Sequence, residues 1–350
     1  MPTVRPKRPS LEEVAALAGV SRATASRVVN GVTSVDPAIS EKVHEAIKAL
    51  GYQPNLSARA LVRRRTDTLA LVASEPDVRV FDDPFFSGIV RGVTAEASAA
   101  GMQVVILMAQ SQRDLDRIEQ YVRSGAVDGV LVISEHAGYD PLPRAMIEAG
   151  MPMVIGGRPL EGDLDVRFVD NDNVHGARLA ARRLVETGRR RIGTVAGPAD
   201  MTAGIDRLEG FRAELGDAFS ADLVEHGEFT QESGEAAADR LLATAPDLDG
   251  IFAASDLMAL GAMRAIHRSG RRIPQDVAVV GFDDIQVAAS ASPPLTTVRQ
   301  QTILQGRAMV RLLLAHTRPD LDLPTLEEIP DVAGAHHLVL PVELVVRDSA

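Results

Sequence analysis

Arg22 and Arg27, five positions apart within residues 21–30, are the side chains in this sequence best suited to recognition chemistry. A guanidinium carries a planar fork of donors that matches the O6 and N7 acceptors of guanine, and one bidentate contact discriminates between bases by about 1–3 kcal/mol. Ala23 offers only a methyl surface, suited to the methyl of thymine. Ser21, Thr24, Ser26 and Asn30 supply hydroxyls and an amide suited to phosphate oxygens, contacts that fix position without reading sequence. This division of labour requires a helix whose N-terminal turn enters a major groove.

The flanking residues predict that helix. Ser10 and Glu13 form a capping-box pattern, Leu11, Val14 and Ala18 recur on one face, and Gly19 supplies a stop. Val20 pins the turn, Ser21 caps a second helix through Ala25, Val28 and Val29, and Gly31 ends it after Asn30. Two short helices joined by a glycine turn make a helix-turn-helix. Asp36 and Pro37 start a third helix, with Val43, Ala46, Ile47 and Leu50 at i, i+3, i+4 and i+7 before Gly51. Three helices around a small apolar core would show this pattern with no ligand at all, so charge has to separate the readings. Through Thr66 there are 11 Lys and Arg against five acids, a surplus of +6, which leaves −17 for the rest of a chain whose net charge is −11. A cationic head on an anionic body suits a polyanionic partner, because phosphates attract the first and repel the second.

Other classes fare worse. With 350 residues and 45% apolar content the chain has material for two or three domains. It lacks a run of 18 uncharged apolar residues, and residues 1–9 are basic and proline-rich without a secretory apolar core, so no membrane association is expected. The absence of cysteine removes disulfides and thiolate metal sites and fits a cytoplasmic protein. No GxSxG elbow, P-loop, GxGxxG or HExxH motif occurs, so no catalytic residue, cofactor or metal is assigned. His136 and His175 lack companions for a nucleophile or a metal, and the adjacent His336 and His337 would point to opposite faces of a strand.

From Thr66 apolar runs alternate with amphipathic stretches in the manner of parallel α/β sheets. Strands are predicted at 69–74, 103–107, 129–133 and 153–155, with helices at 85–100, 114–124 and 142–149, making one doubly wound lobe. A second lobe has strands at 192–196, 223–227, 250–253 and 277–282 and helices at 173–187, 207–215, 233–244 and 256–269. A strand following residues 293–297 and a helix at 301–314 are expected to return to the first lobe, and the strand-like tail 338–347 to the second. Two such lobes enclose a cleft at the carboxyl ends of their strands, where α/β folds bind small ligands.

The head resembles the LacI/GalR family of bacterial transcription regulators through Leu11-Glu12-Glu13-Val14-Ala15, Ala18-Gly19-Val20-Ser21, Thr24-Ala25-Ser26-Arg27-Val28-Val29-Asn30-Gly31 and Gly51-Tyr52-Gln53-Pro54-Asn55. The body is similar to that family's periplasmic-binding-protein-like sensor through Asp83-Pro84-Phe85-Phe86, Asp170-Asn171, Arg207-Leu208-Glu209-Gly210-Phe211, Ala254-Ser255-Asp256 and Val280-Gly281-Phe282-Asp283-Asp284. The resemblance implies a head at 1–53, a hinge at 54–66 and a body at 67–350, with an N-lobe of 67–170 plus 300–330 and a C-lobe of 171–299 plus 331–350. It implies a hinge helix with small Ala58 and with Leu61 at the position that inserts between base pairs, and an effector held by Arg207 and Asp283. Phe85 or Phe86, Arg158, Asp170, Asn171, Ser255 and Gln300 are further effector candidates.

A guanidinium and a carboxylate together serve adjacent hydroxyls, which points to sugars. One departure stands out: where some sugar-responsive members carry an acid after the fourth strand, this chain has Gly156-Gly157-Arg158, which leaves room for an anionic ligand between Arg158 and Arg207. Two-fold symmetry would place a homodimer on a pseudo-palindromic double-stranded operator. No leucine heptads follow Arg347, so a dimer is expected and not a tail-made tetramer. The alternatives are a solute sensor whose head binds another protein, and an enzyme. A steep loss of DNA binding with salt separates the first of these from a DNA-binding regulator.

Overall fold

The structure is a computed structural model that describes residues 9–30, 34–53, 65–134, 136, 141–160, 165–321, 323, 324, 326, 329, 332 and 334–350. Ala58, Leu61 and Gly31 lie outside the described residues. The chain divides into two compact units, Met1–Thr66 and Asp67–Ala350.

In the first unit, helices α1 (Leu11–Ala18), α2 (Arg22–Val29) and α3 (Pro37–Leu50) follow their start and stop residues. Ser10 and Glu13 make the reciprocal capping box at 3.2 and 2.7 Å, and Gly19 ends α1 in the left-handed region at φ 65°. Val14, Ala15, Ala25, Val28, Val43 and Ala46 form a buried core, with Leu11, Val20, Ile47 and Tyr52 packed around it.

The second unit holds two six-stranded sheets. In the first, strands β1 (Thr68–Ala73), β2 (Gln103–Met108), β3 (Gly129–Ile133), β4 (Met153–Gly156) and β5 (Arg167–Asn171) are joined by β11 (His337–Leu340) in the order β11-β5-β4-β3-β1-β2, all parallel. The short helix α4 (Asp77–Asp82), α5 (Pro84–Ala99), α6 (Gln112–Arg123) and α7 (Leu142–Glu148) connect them. The second sheet contains β6 (Ile192–Ala196), β7 (Val224–His226), β8 (Gly250–Ala253), β9 (Ala278–Asp283), β10 (Thr296–Arg299) and the antiparallel edge β12 (Glu343–Val345), in the order β12-β10-β9-β8-β6-β7. Its helices are α8 (Asn173–Glu186), α9 (Thr202–Leu215), α10 (Gln231–Thr244) and α11 (Asp256–Arg268). Helix α12 (Thr302–Thr317) packs in the first lobe's core through Ala308, Met309 and Leu312.

Two expectations need correction. The strand after residues 293–297 is β10, and it stays in the second sheet beside β9; only the helix that follows returns to the first lobe. The tail is split: β11 pairs with β5 in the first sheet and β12 with β10 in the second, so residues 331–350 do not belong wholly to the C-lobe. Both strands are four residues or shorter, and length and alternation do not say which sheet such a strand joins. Strand β5 and helix α4 were not anticipated.

The chain therefore crosses between lobes after β5, after β10 and after β11. Asn171 fastens these crossings: its Oδ1 accepts from Gln301 N at 3.0 Å and its Nδ2 donates to Gln305 Oε1 at 2.9 Å. Next to it, Asp172 N donates to Leu340 O at 3.0 Å. Three adjacent crossings, two tied by the buried Asn171 side chain and the third by the Asp172 backbone, form a hinge.

Candidate functional site

In the first unit, α2 buries Ala25 and Val28, and the 3.6-residue period places Ala23, Ser26, Arg27 and Asn30 on the opposite arc, with Arg22 at its edge. Arg22, Ala23 and Arg27 are exposed. Arg22 Nε lies 2.6 Å from Glu12 Oε1, and both side chains are more than half exposed. Such a surface pair contributes about 0–1 kcal/mol and yields readily to a base edge. Arg27 donates to Ser34 Oγ at 2.7 Å. Ser21 caps α2 by accepting from Thr24 N at 3.1 Å, and Asn30 Nδ2 donates back to Ser26 O at 2.8 Å. These polar groups thus shape the helix ends, which orients the arginines.

In the second unit a cavity opens between the lobes at the carboxyl ends of the strands. Of the sequence candidates, Phe85, Arg158, Asp170, Asn171, Arg207, Ser255, Asp283 and Gln300 line it. Phe86 does not: it is 1% exposed in the first lobe's core, edge-on to Phe85 at 5.2 Å.

Arg207, on α9, is the centre of the polar wall. Its Nε donates to Asn173 Oδ1 at 2.9 Å, its Nη1 to Ala254 O at 2.6 Å and to Asp283 Oδ1 at 3.4 Å, and its plane stacks 3.7 Å from the Phe282 ring centre. Burial lowers its pKa while Asp283 and Asp170 oppose that. Asp283 stands at the end of β9 with φ 119°, and Gln300 donates to its Oδ1 at 2.6 Å. Burial raises Asp283 and its neighbour Asp256, and also Asp83; it pushes Asp170 up to about 6. Ser255 is committed as the α11 cap, accepting from Met258 N at 3.2 Å.

Both guanidiniums expected to face an anionic ligand have carboxylate partners in this structure. Arg158 is held bidentately by Asp206 of the second lobe at 2.7 and 3.1 Å, and Arg207 is paired with Asp283. The missing acid at Gly156 also has a packing reason. A Cβ there would sit 2.9 Å from Ile133 Cγ2 and 3.0 Å from Met309, and Gly157 adopts φ 117°.

Residues that sequence reasoning missed complete the wall. Arg79 on α4 lies 5.3 Å from the Phe229 ring centre, and Asp83, Asn173, Met201 and Gln305 also face the cavity. Asp83 had a signal, because Asp-Pro before an apolar run is a helix start, and its Oδ1 accepts from Phe85 N at 2.9 Å. Phe229, at positive φ in the loop after β7, had none.

A second bridge spans the lobes at the cleft rim. His136 Nδ1 lies 2.8 Å from Asp200 Oδ2 and Nε2 lies 3.1 Å from Glu75 Oε1. The Glu75 hydrogen bond chiefly, with Asp200, raises the imidazole pKa from 6.5 to about 9. Because the folded-state value is the higher one, the stability this bridge supplies is whole below pH 6.5 and is lost as pH rises through 9. A plot of Tm against pH for His136→Gln is expected to lack the decline that the parent protein shows between 6.5 and 9; identical slopes would refute this. Among the described residues no group of three or more His, Asp or Glu is placed to hold a metal ion, and no helix is long and apolar enough to cross a membrane.

A helix-turn-helix head joined to a two-lobed sensor with a cleft between its lobes defines a DNA-binding regulator of transcription. The chain belongs to the lacI family of bacterial regulatory proteins, whose model matches residues 10–55, and the periplasmic binding protein-like domain matches residues 181–350. It is similar to the HTH-type transcriptional regulator CelR of Thermobifida fusca, with 50% identity over 349 residues and 99% of each chain covered. It is also similar to the ribose operon repressor of Halalkalibacterium halodurans, at 33% identity over 97% of this chain and 96% of that one. Among solved structures, a CelR–cellobiose complex matches with a TM-score of 0.75 and 49% identity, covering 98% of this chain and all of the other. A lac repressor dimer bound to operator and the anti-inducer ONPF matches at 0.82 and 28%, covering 98% and 99%. The protein is a transcriptional regulator, not an enzyme.

Proposed function

We propose that this regulator is a repressor that acts in the cytoplasm as a homodimer on a pseudo-palindromic operator and is released by a neutral glucose disaccharide of the cellobiose class bound between its lobes. The observation that carries the ligand class is charge compensation. Every cavity guanidinium is already paired with a carboxylate, Arg79 with Glu75, Arg158 with Asp206 and Arg207 with Asp283, so the wall presents polar atoms without a surplus of positive charge. Such a wall suits hydroxyls, and Phe85 and Phe229 offer apolar faces for the ring carbons. The cellobiose complex of the CelR relative supports the same class.

In this reading the ligand bridges the lobes, turns them about the Asn171 hinge and changes the spacing of the two linkers, where Ala58 and Leu61 would engage the minor groove. A coupling of about 1–3 kcal/mol suffices to change occupancy.

Two measurements test it. Cellobiose at 100 times its dissociation constant is expected to add about 2.7 kcal/mol of stability in thermal denaturation, while a phosphorylated sugar adds none. Fluorescence anisotropy on a duplex selected by the protein from a random pool is expected to show affinity falling about 10³–10⁵-fold between 50 and 200 mM salt. A salt-independent affinity, or a thermal response confined to anionic sugars, would overturn the proposal.

A further inference from the structure

A second cavity lies between the same two lobes on the far side of Arg79, Asp83 and Phe229, which line both spaces. Its first-lobe wall includes Gln110 and Asp82; its second-lobe wall includes Glu228, Gln231 and Glu232. It is larger than the inner cavity, and its lining has the same character: acceptors and amides for hydroxyl groups beside an aromatic face.

The partition between the two spaces is a side-chain contact and not backbone. Arg79 lies over the Phe229 ring, its guanidinium reaches Glu75 and the Met201 sulfur, and its buried Nε has no hydrogen-bond partner. A buried donor without an acceptor is costly, and a hydroxyl or glycosidic oxygen passing between the cavities would supply the acceptor. Arg79 is carried by α4, a six-residue helix that buries none of its residues, so the partition stands on an element with few packing constraints.

We propose that the outer cavity is a further sugar subsite, so that the effector class of this regulator extends to linear β-linked gluco-oligosaccharides of three or more units, with one disaccharide in the inner cavity and the following units passing Arg79 and Phe229 into the outer one. The proposal rests on the neutral-sugar reading given above. The six carboxylates of the outer lining, Glu75, Asp82, Asp83, Asp200, Glu228 and Glu232, disfavour an anionic continuation and accept from hydroxyls.

The test is calorimetric titration of the full-length protein with cellobiose, cellotriose and cellotetraose, repeated on Gln110→Ala/Glu228→Ala. Both side chains are exposed, line only the outer cavity and make no hydrogen bond among the described residues, so folding is not at risk. Cellotriose is expected to bind about 2- to 12-fold tighter than cellobiose, the equivalent of one net hydrogen bond. The double variant is expected to remove that gain while leaving cellobiose affinity unchanged. If cellobiose binds and the trisaccharide binds no tighter, or if the variant weakens both sugars alike, the outer subsite is refuted and the inner reading stands. If cellobiose itself fails to bind, the inner reading falls and the extension falls with it.

Discussion

Arg22→Ala is expected to weaken operator binding by about 2–6 kcal/mol per dimer, because each half-site loses a bidentate base contact worth about 1–3 kcal/mol and two-fold symmetry counts it twice. The fold should be indifferent. Arg22 is exposed, its partner Glu12 is also exposed, and the core of the head is made by Val14, Ala25, Val28 and Val43. The informative control is Arg22→Lys, which keeps the charge and loses the planar fork. If Arg22 only attracts phosphate, lysine should restore binding and the salt dependence should stay the same. If it reads a base, lysine should restore non-specific affinity and leave operator discrimination low. Anisotropy on the selected duplex against a scrambled one separates the two.

Asp283→Asn is expected to weaken the effector by about 1.5–3 kcal/mol, or roughly 10- to 150-fold in Kd, by removing the charge from its acceptor at the cavity wall. Operator affinity without sugar should be unchanged, so the variant should be a repressor that stays on DNA at sugar concentrations that release its parent. The substitution is chosen to spare the fold. Oδ1, which accepts from Gln300 and Arg207, keeps its place as the amide oxygen, and the new NH₂ faces only the long 3.4 Å approach of Asp256 N. Loss of one of two neighbouring buried carboxylates relieves the repulsion on Asp256, which offsets the loss of the carboxylate charge beside Arg207, and asparagine tolerates positive φ. Calorimetric titration with cellobiose measures the first effect and anisotropy the second; equal sugar affinity in the two proteins would remove Asp283 from the site.

What the sequence made legible was local. Ser10 with Glu13, Asp36 with Pro37 and the glycines at 19 and 51 carry their information within one turn, and α1 and α3 begin and end where they place them. The choice between Phe85 and Phe86 was also present: Phe86, Ile89, Val93 and Ala97 share one helical face, and that face lies in the core. The pairing of Arg158 with Asp206 was not, because they stand 48 positions apart on separate lobes, and without it the cavity reads as cationic. Arg79 and Phe229 escaped for a related reason. One sits on a helix too short to show a period, and the other in a loop whose backbone no local pattern dictates.

The split of the tail between β11 and β12 has a consequence for how the body is made. Each sheet receives an outer strand from the same stretch, His337 to Val345, so neither lobe is a self-sufficient stretch of polypeptide. During synthesis both must wait, incomplete at one edge, until those nine residues emerge, and then both are finished almost together. A nick at residues 341–342 would leave every strand in place, yet it would cut one of the three straps on which the lobes turn.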